Sequence, residues 1–283
     1  VFGLFGKKKG SIPKHGKRVA DRRAQAPDRW ESIQTLGRVA TGELEAQGGT
    51  AQDAVAALLR RYTIVVDPSI TDGEEREEVL RWVVSCGDMA VEPVCQALRQ
   101  HPSASWPLRI LGKLVDADRV TEEIIDVLET MDTEYERDPT KKLSLLSTLA
   151  TRTHPGIVDA VLPFLDDVNE TARFHAVAAL LHQQEGTEPV AEALAEIFAE
   201  EESGRIKVKV CEGMGARGWA LDVEASELPE GFRLDGSGVP QKAKAISIQG
   251  AAQAAMSVAD LSEGTAASSG GGRTRRRRKK RRK

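Results

Sequence analysis

Leu165-Asp166-Asp167-Val168-Asn169-Glu170-Thr171-Ala172-Arg173-Phe174-His175-Ala176-Val177-Ala178-Ala179-Leu180 decides the fold. Its small and apolar residues Ala172, Ala176, Ala179 and Leu180 return at helix spacing. Outward from it, glycine and proline break the chain into windows with the same period. They cover about 28–41, 51–62, 73–86, 89–99, 104–115, 118–130, 138–152, 156–165, 168–183, 187–200 and 203–217. Start signals stand at Thr50, at Asp138-Pro139 and at His154-Pro155 leading into Gly156. The main β-branched run, Tyr62 to Pro68, reads as a helix end followed by an extended link to Gly73.

These windows pair into hairpins, and the hairpins repeat. Glu92-Pro93-Val94-Cys95-Gln96-Ala97-Leu98 and Glu188-Pro189-Val190-Ala191-Glu192-Ala193-Leu194 agree at five of seven positions, 96 residues apart, which is three periods of 32. The partner helices repeat too: Arg173, Ala176, Ala179 and Leu180 return 34 residues later as Lys207, Val210, Gly213 and Met214. A fixed period of this length points to stacked units, none of which can bury its apolar face alone.

The stretch 165–180 resembles a HEAT repeat, in particular the short bacterial PBS-lyase HEAT-like type, and the resemblance extends over about residues 26–217. It implies an all-α, right-handed α-solenoid of about five to six HEAT-like helical hairpins, with disordered basic termini. It also implies an inter-repeat ladder of a helix-ending Asp and an early Arg, roles that fall to Asp167 and Arg173; Glu201 or Glu202 with Lys207 would form a looser second copy. Ala176, Ala179, Gly112 and Gly213 would let helices approach closely. The expected organisation is a basic, flexible segment over 1–25 and the repeats over 26–217. A C-terminal cap, with room for a short hairpin, follows over 218–240, then an Ala/Ser/Gly linker over 241–272 and a polybasic tail over 273–283.

The net charge of −3 on 283 residues conceals a segregation. Residues 1–23 carry +7 and residues 273–283 carry +10, leaving −20 on 24–272. No run of about 18 apolar residues suggests a membrane span. Three cysteines without CxxC spacing, and no secretory signal, fit a cytoplasmic protein. Cys95 and Cys211 fall in apolar helical patterns and read as buried thiols.

Enzyme signatures are sparse. Gly3-Leu4-Phe5-Gly6-Lys7-Lys8 lacks phosphate-loop spacing and a magnesium-binding hydroxyl. His175 and His182 share a helix face without a third ligand at metal spacing. Glu122-Glu123 and Glu200-Glu201-Glu202 read as exposed faces. Trp30, Trp82 and Trp106 sit at apolar helical positions and read as core. The alternative is a HEAT-like nucleic-acid enzyme; alkylpurine DNA glycosylases resemble this architecture, but they use a basic surface where this body is acidic.

What remains is surface. In HEAT stacks the second helix of each hairpin lines one side, and those helices here hold Glu92, Glu122, Glu123, Asp126, Asp159, Glu188, Glu192 and Glu196. The expectation is a non-enzymatic scaffold or adaptor without a cofactor, whose acidic groove docks a protein carrying a basic segment. The tail, Arg273, Arg275, Arg276, Arg277, Arg278, Lys279, Lys280, Arg281, Arg282 and Lys283, would hold a polyanion, with Lys7, Lys8, Lys9 and the basic residues onward to Arg23 in a secondary role. With no interleaved aromatics the tail can contact phosphates but not read bases. Nucleic acid is therefore favoured over an anionic membrane surface.

Overall fold

A computed structural model describes residues 9–184 and 187–243. Twelve α-helices dominate them, with four short strands. The chain begins with β1 (Lys9–Ser11) and α1 (Ile12–Val19), which corrects the reading of residues 1–25 as flexible throughout. Ile12, Gly16 and Val19 form one face of α1 and are buried, and α1 packs on the two helices that follow. That stripe is only three residues wide in a basic segment, too weak a period to stand out in sequence.

The eleven windows all become helical. They are α2 (Ala26–Ala40), α3 (Ala51–Leu59), α4 (Ser69–Ser85), α5 (Val91–Gln100), α6 (Ser105–Leu114), α7 (Ala117–Leu128), α8 (Thr140–Leu149), α9 (Ile157–Val161), α10 (Glu170–His182), α11 (Thr187–Glu200) and α12 (Gly204–Arg217). The start signals at Thr50 and Asp138 supply side-chain bonds to helix-start N–H groups, the His154 Nδ1 lies 3.1 Å from the Gly156 N ahead of α9, and Asn169, not singled out in the sequence, adds another. The Thr50 hydroxyl accepts from the Asp53 N–H, and the Asp53 carboxylate accepts from the Thr50 N–H at 2.7 Å. Asp138 accepts from the Thr140 N–H, and Asn169 accepts from the N–H groups of Thr171 and Ala172. Residues 60–63 form a 3-10 turn before an extended link, and α4 starts at Ser69 rather than Gly73.

Contacts run between alternate helices. α2, α4 and α6 touch in order, as do α8, α10 and α12; α3, α5, α7 and α9 touch in order, and the 3-10 turn Leu162–Asp166 carries this row on to α11. Leu36, Leu58, Leu98, Ile110, Ile124, Leu146, Leu180, Leu194 and Val210 are inaccessible to solvent along the seam. Each such side chain contributes about 1.5–3 kcal/mol through burial. Gly213 permits close approach: a Cβ there would lie 2.3 Å from the Leu181 side chain. Gly112 does not have this role, since nothing lies within 4 Å of its would-be Cβ.

The tryptophans divide. Trp82 lies across Gly37, where a Cβ would meet the indole at 2.1 Å, and Trp106 stacks on Tyr62 with ring centroids 4.9 Å apart. Trp30 is 38% exposed, so its reading as core does not hold. A second short strand pair follows the helices, β3 (Phe232–Leu234) with β4 (Pro240–Lys242), as the cap reading allowed. Leu221 is buried, its N–H donates to the Gly238 carbonyl, and the Pro240 carbonyl lies 2.3 Å from where Gly215 would carry a Cβ. At the other end β1 runs parallel to β2 (Glu45–Gln47), with Lys9 3.3 Å from Glu45.

Buried charge holds the first helices together. Glu75 on α4 accepts from Arg29 on α2 through both oxygens, at 3.0 and 3.1 Å, and from Arg61 at 2.6 Å. Arg61 also reaches Asp72 at 2.8 Å and the Ile64 carbonyl at 3.1 Å. Arg29, Arg61 and Glu75 are at most 3% exposed. Burial pushes the Asp72 carboxyl up, but the Arg61 hydrogen bond, the Val66 N–H and the charges of Arg61 and Arg76 outweigh it and leave the group below the usual range.

Candidate functional site

In the second half of the chain, cations on first helices link successive segments. The Lys142 ammonium on α8 reaches back to the Asp132 carbonyl at 2.9 Å and forward to the Asp167 carboxylate at 2.7 Å. Arg173 on α10 repeats the device: it donates to the Asp167 carbonyl at 2.9 Å and grips Glu201 through two bonds, both 2.9 Å. Asp167 and Arg173 thus meet, but through the backbone carbonyl rather than the carboxylate. The carboxylate belongs to Lys142, whose own window holds only Asp138, an acid already bound to the Thr140 N–H. Lys207 lies 4.9 Å from the Phe198 ring centre rather than joining a second copy of the ladder. A basic residue at the third or fourth helical position, followed 25 to 28 residues later by an acid, is the signal that would have found these pairs.

Glu201 is therefore not part of an exposed face. Burial pushes its carboxyl up, while the Arg173 hydrogen bond, the Ser203 N–H and the Arg173 charge bring it below the usual range. Around this buried pair opens a cleft of about 1070 Å³, walled by the Leu162–Asp166 turn, the start of α10 and the end of α11. Leu162, Leu165, Ala193 and Ile197 line its apolar part; Asp166, Glu196, Glu200 and Glu202 are exposed around it and have no ion pair among the described residues. Glu200 ends α11, whose last turn holds no basic residue. Carboxylates at a helix C-terminus add to the negative end of the dipole, so the cleft concentrates negative potential. It can accept cations, and its apolar part can take the methylene stems of lysine or arginine.

The expected groove acids are otherwise unequal. Glu192 and Glu196 are exposed on α11, and Asp159 on α9 lines a neighbouring cleft of about 710 Å³ with His154, Pro155, Val158, Gln183 and Pro189. On α5 and α7 the acids are compensated. Arg99 lies 4.0 Å from Glu92, 3.8 Å from Asp126 and 2.8 Å from Glu123, and Arg119 pairs with Glu122 at 3.2 Å. Glu123 is 1% exposed, so its place in a docking groove is withdrawn; Arg99 and Arg119 draw it inward. The free acidity gathers at α9 and α11 rather than along every second helix.

Lys7, Lys8, the side chain of Glu188, the linker after Ala243 and the whole run from Arg273 through Lys283 lie outside the described residues. Lys9 is described, and it pairs with Glu45. Burial pushes the Cys95 thiol up to about 12, with Glu123 adding to the shift, and the Cys211 thiol up to about 11. Neither is poised as a nucleophile. Among the described residues no group of three or more His, Cys, Asp or Glu could hold a metal ion, and no helix is long and apolar enough to cross a membrane. Comparison with protein-family models, with curated proteins and with solved structures finds no match to this chain.

Proposed function

We propose that the protein is a non-enzymatic scaffold that docks a basic segment of a partner protein in the acidic cleft between the Leu162–Asp166 turn and α11, and holds a polyanion through its C-terminal polybasic run. The observation that carries this reading is the set of four uncompensated carboxylates, Asp166, Glu196, Glu200 and Glu202, around one partly apolar cleft. The two rows of alternately touching helices support a right-handed α-solenoid of HEAT-like hairpins, in which the second helices offer a continuous surface to a partner. Ten basic residues within 273–283 supply phosphate contacts without sequence reading.

The test is binding of a fluorescent nine-residue polyarginine peptide to the full chain and to a full-chain variant carrying Asp166→Asn, Glu196→Gln, Glu200→Gln and Glu202→Gln. Exposed charge pairs contribute up to about 1 kcal/mol each, so the variant should bind at least about tenfold more weakly at low salt. Equal affinity in a variant that keeps the parent's helicity overturns the cleft as the docking site.

A further inference from the structure

We infer that α1, its exit turn and Arg60 form a folded contact surface for the phosphate backbone of duplex nucleic acid. This deepens the polyanion half of the proposed function and rests on it for the class of ligand: it gives the secondary basic stretch that ends at Arg23 a folded form, adds Arg60, and uses none of the residues of 273–283.

The surface exists because α1 is folded. Ile12, Gly16 and Val19 are committed to the core, and a Cβ at Gly16 would stand 3.0 Å from Ala57 on α3, so the helix lies close against its neighbour. With that face fixed, Lys14, Lys17 and Arg18 fall at i, i+3 and i+4, forming one stripe away from the buried side. Arg22 and Arg23 continue it in the turn that leaves the helix. Arg60, at the end of α3, lines the same cleft as Ile12, Pro13 and Gly16.

These six cations have no ion pair among the described residues, whereas most other arginines in the fold are matched to acids. Of the acids nearby, Glu31 on α2 acts on His15 and has no ion pair among the described residues, and three others are engaged elsewhere. Asp21 accepts from the Arg23 N–H, Asp53 is bound into the Thr50 cap, and Glu45 pairs with Lys9. Three like charges on α1, with two more in its exit turn and Arg60 beside the neighbouring cleft, have no ion-pair partner among the described residues, repel one another and gain from an external polyanion.

Two observations choose the ligand. A basic helix that binds membrane inserts an apolar face, but the apolar face of α1 is spent inside the protein, and none of the large exposed apolar side chains, Trp30, Val65, Ile70, Tyr135 and Val168, lies on it. Single-stranded nucleic acid is held by aromatic stacking platforms, and α1 and its exit turn hold no aromatic ring except His15, whose Nδ1 is 3.1 Å from Ser32 Oγ. A rigid stripe of cations without stacking or apolar groups matches the regular phosphate array of a duplex.

The experiment measures binding of random-sequence duplex DNA and duplex RNA by the full chain across a salt series. It compares the parent, a variant with Lys14, Lys17, Arg18, Arg22 and Arg23 changed to Gln, and a variant with the ten cations of 273–283 changed to Gln. Loss of about five phosphate contacts should make the log–log salt slope shallower by about 4 and weaken binding at least about tenfold at low salt. An unchanged slope in the α1 variant, with melting like the parent's, overturns the inference and leaves the tail as the contact. Loss confined to the tail variant has the same meaning, and failure of the parent to bind any duplex overturns both readings. Vesicles of phosphatidylcholine with one-third phosphatidylserine form a separate arm: α1-dependent binding to them, without α1-dependent duplex binding, also overturns it.

Discussion

The buried charge around Glu75 and the charge ladder at Lys142 and Arg173 solve one problem in two ways. In both, a cation on a first helix reaches back to a main-chain carbonyl and forward to a carboxylate: Arg29 to Ala24 and Glu75, Lys142 to Asp132 and Asp167, Arg173 to Asp167 and Glu201. At the N-terminal end the carboxylate is shared with Arg61 and all partners are sealed from water. Further along, each cation has its own acid and Arg173 is partly exposed, with 21% of its side chain accessible. A shared, sealed cluster cannot lose a member without stranding another. The Lys142–Asp167 rung is sealed in the same way, and the Arg173–Glu201 rung beside the candidate cleft is the one open enough to yield alone.

The sharpest way to break this comparison is Glu75→Ala, which leaves two arginines buried without their carboxylate. Urea unfolding should show a loss of about 3–5 kcal/mol, the range for stranding a buried charge. Asp167→Asn should cost about 2 kcal/mol, because Lys142 keeps the Asp132 carbonyl and lies 3.8 Å from Glu136. If the two losses are equal, the distinction between shared and separate pairs fails.

The pH dependence sharpens it further. Glu201 has a folded pKa below its ordinary 4.5, so its contribution is complete above that pH and is lost as pH falls through the lowered value. Asp72 behaves in the same way below its ordinary 3.8. Glu201→Gln should therefore cost about 1 kcal/mol at neutral pH and flatten the decline in stability below pH 4.5, measured by urea midpoints at successive pH values. The decline that remains should still include the Asp72 share.

The smallest effect belongs to the exposed pair Arg205–Glu170, 2.9 Å apart with about half of each side chain in water. Arg205→Ala should cost less than about 1 kcal/mol, partly through loss of the guanidinium stacked 4.1 Å from the Phe174 ring centre. A larger thermal shift would show that the ladder extends to the surface.

The helices from α2 to α12 were legible because each is an apolar stripe long enough to impose its period, and Thr50 and Asp138 begin helices by local hydrogen bonds that sequence displays. The ion pairs were harder to see. Asp167 and Lys142 are 25 residues apart, and nothing local says that a lysine between Lys141 and Leu143 turns inward. Glu123 looks like Glu122 in sequence; Arg99, placed beside it from α5, together with Arg119 of its own helix, draws one inward and leaves the other out. The acidic string at 200–202 was visible as charge, yet its split into one structural carboxylate and two open ones depends on where α10 brings Arg173. Helix α1 escaped notice because it is eight residues long with only Ile12 and Val19 as large apolar residues, and its burial comes from α2 and α3.

The strand pair β3–β4 has a bearing on self-association. A row of helices that ends bare presents an apolar stripe on which an identical molecule can settle, and repeated settling makes fibres. Here the Pro240 carbonyl fills the hollow beside Gly215, and Leu221 is held under the strand pair by its bond to Gly238, so α12 offers part of its flank as occupied backbone. The strand pair thus covers part of the α12 flank that would otherwise be open to a second molecule.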